Sequence, residues 1–188
     1  GVPVAERLGL AATTPLVTAY TLSLGTPESM GDAAKAAAAR PLLKVKLGGD
    51  GDPERIAAVR AGAPTSRLIV DANEAWRAAN LAANLAACEA AGVELIEQPL
   101  PAGEDDALRG LTTPIALCAD ESLHTVADLA KLRDRYSAIN IKLDKAGGLT
   151  EALAIAAEAK RLGYRIMIGC MVGTSLAMAP AAILARIA

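Results

Sequence analysis

Residues 93–100 read VELIEQPL, an apolar run through Val93, Leu95 and Ile96 that ends on the carboxylate of Glu97 and is closed by Pro99. A short apolar run rich in β-branched residues and stopped by proline has the pattern of a buried strand. Six other runs share the plan: VTAYTLSL (17–24), LLKVKLG (42–48), RLIVDAN (67–73), IALCADES (115–122), AINIKLD (138–144) and YRIMIGCM (164–171). Between them lie stretches with apolar residues three and four apart, among them PERIAAVRAG (53–62), AWRAANLAANLAACEAAG (75–92) and LTEALAIAAEAKRLG (149–163). Each closes near a glycine, as helices do. Strand and helix in alternation predict βα units around a parallel sheet.

Polar residues gather at the C-terminal ends of these strands while the strand bodies stay apolar. That distribution favours a TIM-type (β/α) barrel with its site on the C-terminal face, with a doubly wound sheet as the alternative. A complete barrel takes eight strands and about 250 residues, so 188 residues predict one truncated to about seven βα units. The expected division is a residual segment at 1–15, GVPVAERLGLAATTP, which has no strand pattern, and a partial barrel at 16–188. An open barrel leaves its first and seventh strands as unpaired edges, which predicts self-association into homo-oligomers.

A hydrophobic fraction of 53% supplies a sizeable core. Nineteen basic against 21 acidic side chains leave no basic field for nucleic acid or an anionic membrane surface. No apolar stretch approaches the roughly 18 residues a membrane span needs, and no basic-then-apolar leader opens the chain. These features predict a cytoplasmic protein acting on small molecules. Cys88, Cys118 and Cys170 are odd in number and far apart, so they predict buried small hydrophobes rather than disulfides or a zinc cluster. The single histidine, His124, reads as a helix-capping or surface residue, Trp76 as packing on the barrel wall, and Gly147-Gly148 as a turn.

Thr21, Lys46, Asp71, Glu97, Asp120, Lys142 and Cys170 follow one another at intervals of 25, 25, 26, 23, 22 and 28 residues. Each interval is about one βα unit, so the spacing predicts that these side chains emerge at similar heights from consecutive strands. Asp71, Glu97 and Asp120 would stand side by side as a hard oxygen set suited to Mg²⁺ or Mn²⁺ rather than zinc. Any one of them alone reads equally as a cap on the following helix. Strands two and six face each other across an eight-stranded barrel, so Lys46 and Lys142 would approach a central ligand from opposite sides. Lys44 alternates with Val45 and shares the face of Lys46. Proton abstraction by lysine requires a lowered pKa, and a metal and Lys44 both act in that direction. Lys145 is expected in the loop after strand six.

Taken in order, KVKLG, LIVDANEAW, ELIEQPLP, CADESL, INIKLDKAGGLTEA and IGCMVGTSLAMAPA resemble the enolase superfamily. Within its muconate-lactonising-enzyme-like subgroup they resemble the dipeptide epimerases. The resemblance implies Mg²⁺ at Asp71, Glu97 and Asp120, acid/base lysines at Lys46 and Lys142, and Lys44 holding the substrate carboxylate. It implies substrate contacts at Thr21, Cys170 and Val172, and partners of the metal ligands at Asn73 and Glu121. The implied activity is epimerisation at the α-carbon of a dipeptide by two-base proton transfer through an enediolate. The alternatives are an o-succinylbenzoate synthase or N-succinylamino acid racemase. Two departures stand out: Val172 and Gly173 follow GCM where many relatives carry an acidic residue, and the family's strand-eight DxD motif and N-terminal capping domain have no counterpart here.

Two other classes compete. A Schiff-base aldolase built on Lys142 leaves the three carboxylates without a purpose. A non-catalytic barrel fragment predicts only association through its open edges.

Overall fold

The computed structural model describes residues 1–10 and 15–188, so residues 11–14 of the expected opening segment lie outside it. Val4–Arg7 forms one helical turn, α1, with no buried residue. Seven strands then follow: β1 (Tyr20–Leu22), β2 (Leu42–Lys46), β3 (Arg67–Asp71), β4 (Val93–Glu97), β5 (Ala116–Ala119), β6 (Ala138–Lys142) and β7 (Arg165–Gly169). All neighbours are parallel and the sheet order equals the chain order. Among the described residues β1 pairs only with β2 and β7 only with β6, which leaves the sheet open between them. No helix of the described residues is long and apolar enough to cross a membrane.

The connecting helices are α2 (Pro27–Ala36), α3 (Asp52–Gly62), α4 (Ala78–Ala90), α5 (Val126–Leu132), the single turn α6 (Leu143–Ala146), α7 (Leu149–Arg161) and α8 (Ser175–Leu184). One unit departs from the expected alternation. Between β4 and β5 the chain forms only a 3₁₀ turn, Asp105–Leu108, because Pro99, Pro101, Gly103, Gly110 and Pro114 interrupt every longer helical register. Helices α2 and α3 lie close together at Gly31 and Gly62: a Cβ on Gly62 would stand 2.3 Å from the Gly31 carbonyl oxygen.

Alternation along the strands produces two cores. Leu43, Val45, Leu68, Val70, Ile96, Leu117, Ile139 and Ile141 point outward and are buried beneath the helices. Ile69, Leu95, Ala116, Cys118 and Ala138, with Leu42 and Met167 against them, form a second cluster inside the curl of the sheet. Because both faces are covered, the strands read as nearly continuous apolar runs.

Register determines what sits above this inner cluster. Leu68 pairs with Val93 but Ile69 with Leu95, so an extra residue enters β4 at this point. That bulge brings Asp71 opposite Glu97; without it Asp71 would face the outward-pointing Ile96, since a one-residue slip reverses every side chain. The ring of evenly spaced residues is staggered rather than level. Thr21 pairs with Lys44, two residues below Lys46. Glu97 pairs with Cys118, two below Asp120, and Lys142 pairs with Gly169, not Cys170. Such a climb is the stagger that a curling parallel sheet imposes.

Candidate active site

Above the inner apolar cluster, Lys44, Lys46, Asp71, Glu97, Asp120 and Lys142 meet at the C-terminal ends of β2 to β6. Asp71, Glu97 and Asp120 are fully buried. Lys46 Nζ donates to Asp71 Oδ2 at 2.8 Å and to Asn73 Oδ1 at 2.7 Å. Lys44 Nζ stands between two carboxylates, 2.8 Å from Asp71 Oδ2 and 2.5 Å from Glu97 Oε2. On the far flank Lys142 donates to Asp120 Oδ2. The two candidate bases therefore bracket the carboxylate arc, one at Asp71 and one at Asp120, with Glu97 between.

Burial, then the charges of Asp71 and Asp120, push the Glu97 carboxyl up, against the pull of Lys44. Burial acts the same way on Asp120, but Lys145 and Lys142 outweigh it and hold that carboxyl below its ordinary value. Lys44 and Lys142 are both raised: burial works to lower them, and the facing carboxylates win. The expected lowering of a lysine base depends on a cation as well as on Lys44, and the carboxylate contacts of Lys142 seen here act the other way. The nearby Lys44 does lower it, yet Asp120 and Glu97 contribute more.

The donor chemistry fits a hard divalent cation. Glu97 Oε2, Asp120 Oδ1 and Glu121 Oε2 are buried, and none of them accepts from an amide, a hydroxyl or a backbone N–H among the described residues. The first two meet only lysine ammonium groups in ion-pair contact, Lys44 at 2.5 Å and Lys145 at 2.7 Å. Buried carboxylate oxygens that meet only ammonium charge form a hard donor set that suits Mg²⁺. Among the described residues no three carboxylate, thiol or imidazole groups are drawn together closely enough to share one ion; the ammonium group of Lys44 stands between Asp71 and Glu97 instead.

Asn73 and Glu121 join the cluster. Asn73 N donates to Asp71 Oδ1 at 3.1 Å, and its Nδ2 donates to Glu121 Oε1 at 3.4 Å. Thr21, Cys170 and Val172 are exposed and make none of the polar contacts that join these residues. The expectation that Cys170 is buried is overturned, since it lies one residue past the end of β7; Cys88 and Cys118 are buried as expected. Trp76 is fully buried, and Gly147 and Gly148 both turn with positive φ.

Three neighbours were not anticipated. Lys145 is on α6 rather than in a loop, and its ammonium reaches Asp120. Its spacing of three from Lys142 was the available signal. Asn140 donates to Glu97 Oε1 at 2.7 Å; it lies two residues before Lys142, so alternation alone marks it as inward. Gln98 Oε1 accepts from the Asp120 and Ser122 amides at 2.9 and 3.2 Å. Gln98, Asn73 and Glu74, with φ of 34°, 44° and 65°, are the non-glycine residues with positive φ among those described. All three follow the β3 and β4 carboxylates, and such strain collects at functional sites.

Residues 29–188 match the family described as enolase C-terminal domain-like. The chain belongs to that family. It is 52% identical over 183 residues to an N-acetyl-D-glutamate racemase of Pseudoalteromonas sp, covering 97% of this chain and 58% of the relative. It is 47% identical over 179 residues to the L-Ala-D/L-Glu epimerase of Escherichia coli K12, covering 94% and 56%. An enolase family member from Agrobacterium tumefaciens with homology to dipeptide epimerases, solved with sodium and L-Ala-L-Glu, superposes with a TM-score of 0.94 at 54% identity, covering 97% and 56%. The Enterococcus faecalis dipeptide epimerase, solved with Mg and L-Leu-L-Tyr, superposes with a TM-score of 0.85 at 32% identity, covering 92% and 52%. This enolase C-terminal-like domain thus spans little more than half the length of the curated relatives it matches.

Proposed function

We propose that the protein is an Mg²⁺-dependent epimerase that inverts the α-carbon of an N-acylated amino acid carboxylate, a dipeptide first of all. One observation carries the reading: Lys46 and Lys142 engage opposite ends of a single carboxylate arc, at Asp71 and Asp120. Asp71, Glu97 and Asp120 would hold the cation. When bound, it offsets the negative charge that grows on the substrate carboxylate as the α-proton leaves. Lys44, between Asp71 and Glu97, has its ammonium placed to engage the same carboxylate.

A substrate carboxylate drawn to this arc presents its α-carbon to two amines on opposite faces. One lysine takes the proton from one face and the other returns a proton to the opposite face, which inverts the centre. Were the three carboxylates to hold a cation, the contacts with Asp120 and Glu97 that now raise Lys142 would weaken, and its amine could then accept the proton.

The two curated relatives narrow the substrate. One is named for N-acetyl-glutamate and the other for L-Ala-Glu; both names describe a glutamate whose amino group is acylated. That shared unit is the proposed substrate class. The test incubates the full gene product with Mg²⁺ in D₂O and L-Ala-L-Glu, other dipeptides or N-acetyl-glutamate, and reads deuterium at the α-carbon by mass spectrometry. Incorporation is expected for the acyl-glutamates; none with any of these compounds would overturn the reading.

A further inference from the structure

Asn140 has no part in the reaction proposed above, yet it is fully buried at the centre of the site. Its Nδ2 donates to Glu97 Oε1 at 2.7 Å, while its Oδ1 has no partner. The amide cannot be turned the other way without placing oxygen against a carboxylate oxygen. On the adjoining strand, Gly169 leaves the space this side chain fills. A Cβ on Gly169 would stand 2.6 Å from Asn140 Oδ1, 2.7 Å from Nδ2 and 3.1 Å from Cγ, closer than packed atoms approach.

Glu97 is the middle carboxylate of the arc and is exposed to repulsion from both neighbours. A flexible side chain in that position needs a donor to hold one rotamer. Asn140 supplies it without adding charge and engages Oε1 alone. Oε2 is left facing the mouth, where its one polar contact among the described residues is the ammonium of Lys44 at 2.5 Å. We infer that Asn140 is a positioning residue that presets Glu97 Oε2 for a divalent cation, and that position 169 must be glycine to admit it. The inference rests on the reading that these carboxylates hold Mg²⁺.

The experiment titrates Mg²⁺ calorimetrically into the chelator-stripped full gene product and its variants N140A, G169A and N140A/G169A. Each single variant is expected to weaken Mg²⁺ binding by about 10- to 100-fold, the usual effect of removing a partner that orients a metal ligand. In the double variant the methyl group at 169 enters the space vacated by Asn140. G169A should therefore cost nothing further in the N140A background, a coupling that independent structural damage does not produce. If N140A fails to fold, N140L, which keeps the volume and loses the donor, is read instead and should weaken binding equally.

Unchanged affinity in the single variants, or additive losses in the double, would overturn the inference. Binding is read without substrate, so a protein that shows the coupling but exchanges no α-proton would refute the proposed reaction and leave this inference standing. A wild-type protein that binds no Mg²⁺ would refute both.

Discussion

Trp76 Nε1 donates to Asp52 Oδ2 at 2.8 Å, with both side chains fully buried. Asp52 also accepts from the Gly48 and Gly49 amides at 3.1 and 2.7 Å and from Arg55 at 2.9 Å. One carboxylate thus ties the loop after β2, the start of α3 and the loop after β3, the two loops that follow Lys46 and Asp71. D52A leaves the Gly49 amide and the Trp76 indole N–H buried without partners, and removes the acceptor of the more exposed Gly48 amide. It is expected to destabilise the protein by about 3 kcal/mol. Urea unfolding followed by fluorescence of the single tryptophan, Trp76, measures this directly; a loss under about 1 kcal/mol would show that water replaces the carboxylate.

Thiol reactivity should separate the three cysteines. Cys170 is exposed, whereas Cys88 and Cys118 are buried. Burial, with a smaller contribution from Asp52, pushes the Cys88 thiol up to about 12, and burial raises Cys118 well above its ordinary value. Thiolate is the reactive form. A disulfide reagent is expected to titrate one thiol rapidly in the native protein, and C170S should abolish that phase. Rapid loss of all three thiols would mean that the sheet opens readily.

Much of the site was legible because strands have a period of two. Once Lys46, Asp71, Glu97, Asp120 and Lys142 are set at strand ends, alternation sends them all to the inner face, and Ile69, Leu95 and Cys118, two below the carboxylates, fall in the inner cluster. The same rule applied to Lys142 would have found Asn140. Even spacing carried less information than it promised. Equal intervals predict equal heights only if each strand starts level with the last, and the pairings of Thr21 with Lys44 and of Glu97 with Cys118 show a staggered start. The bulge that aligns Asp71 with Glu97 left only one trace, an interval of 26 where its neighbours are 25 and 23. Cys170 was misread because an apolar sequence context does not reveal that the strand has already ended. The strained backbone of Gln98 has no local signature, since glutamine carries no preference for positive φ.

The two lysines should be distinguishable by stereochemistry. Each would serve one face of the α-carbon, so K46A and K142A are each expected to abolish deuterium incorporation from one epimer far more than from the other, with opposite preferences and losses of about 10²–10⁴-fold. Single-turnover exchange with L-Ala-L-Glu and L-Ala-D-Glu measures the asymmetry. Equal, mild losses from both substrates in both variants would refute a pair of opposed bases.

Acid stability should carry the signature of Asp128. Its Oδ2 accepts from the Thr125 and His124 amides at 2.9 and 3.2 Å and from the Thr125 hydroxyl at 3.1 Å, at the start of α5. Burial pushes this carboxyl up, but the bonds to Thr125 and His124 outweigh it and hold it below its ordinary value. A carboxyl depressed in the folded state releases its proton more readily there than in the unfolded chain. Its contribution is therefore complete above the unfolded value of about 4 and disappears as pH falls through the lower folded value. D128A should cost about 1 kcal/mol near neutral pH, as for other helix caps. Urea midpoints of wild type and variant measured down through the carboxylate range should converge as the cap becomes protonated; a constant gap at every pH would assign the cost to lost packing rather than to the charged cap.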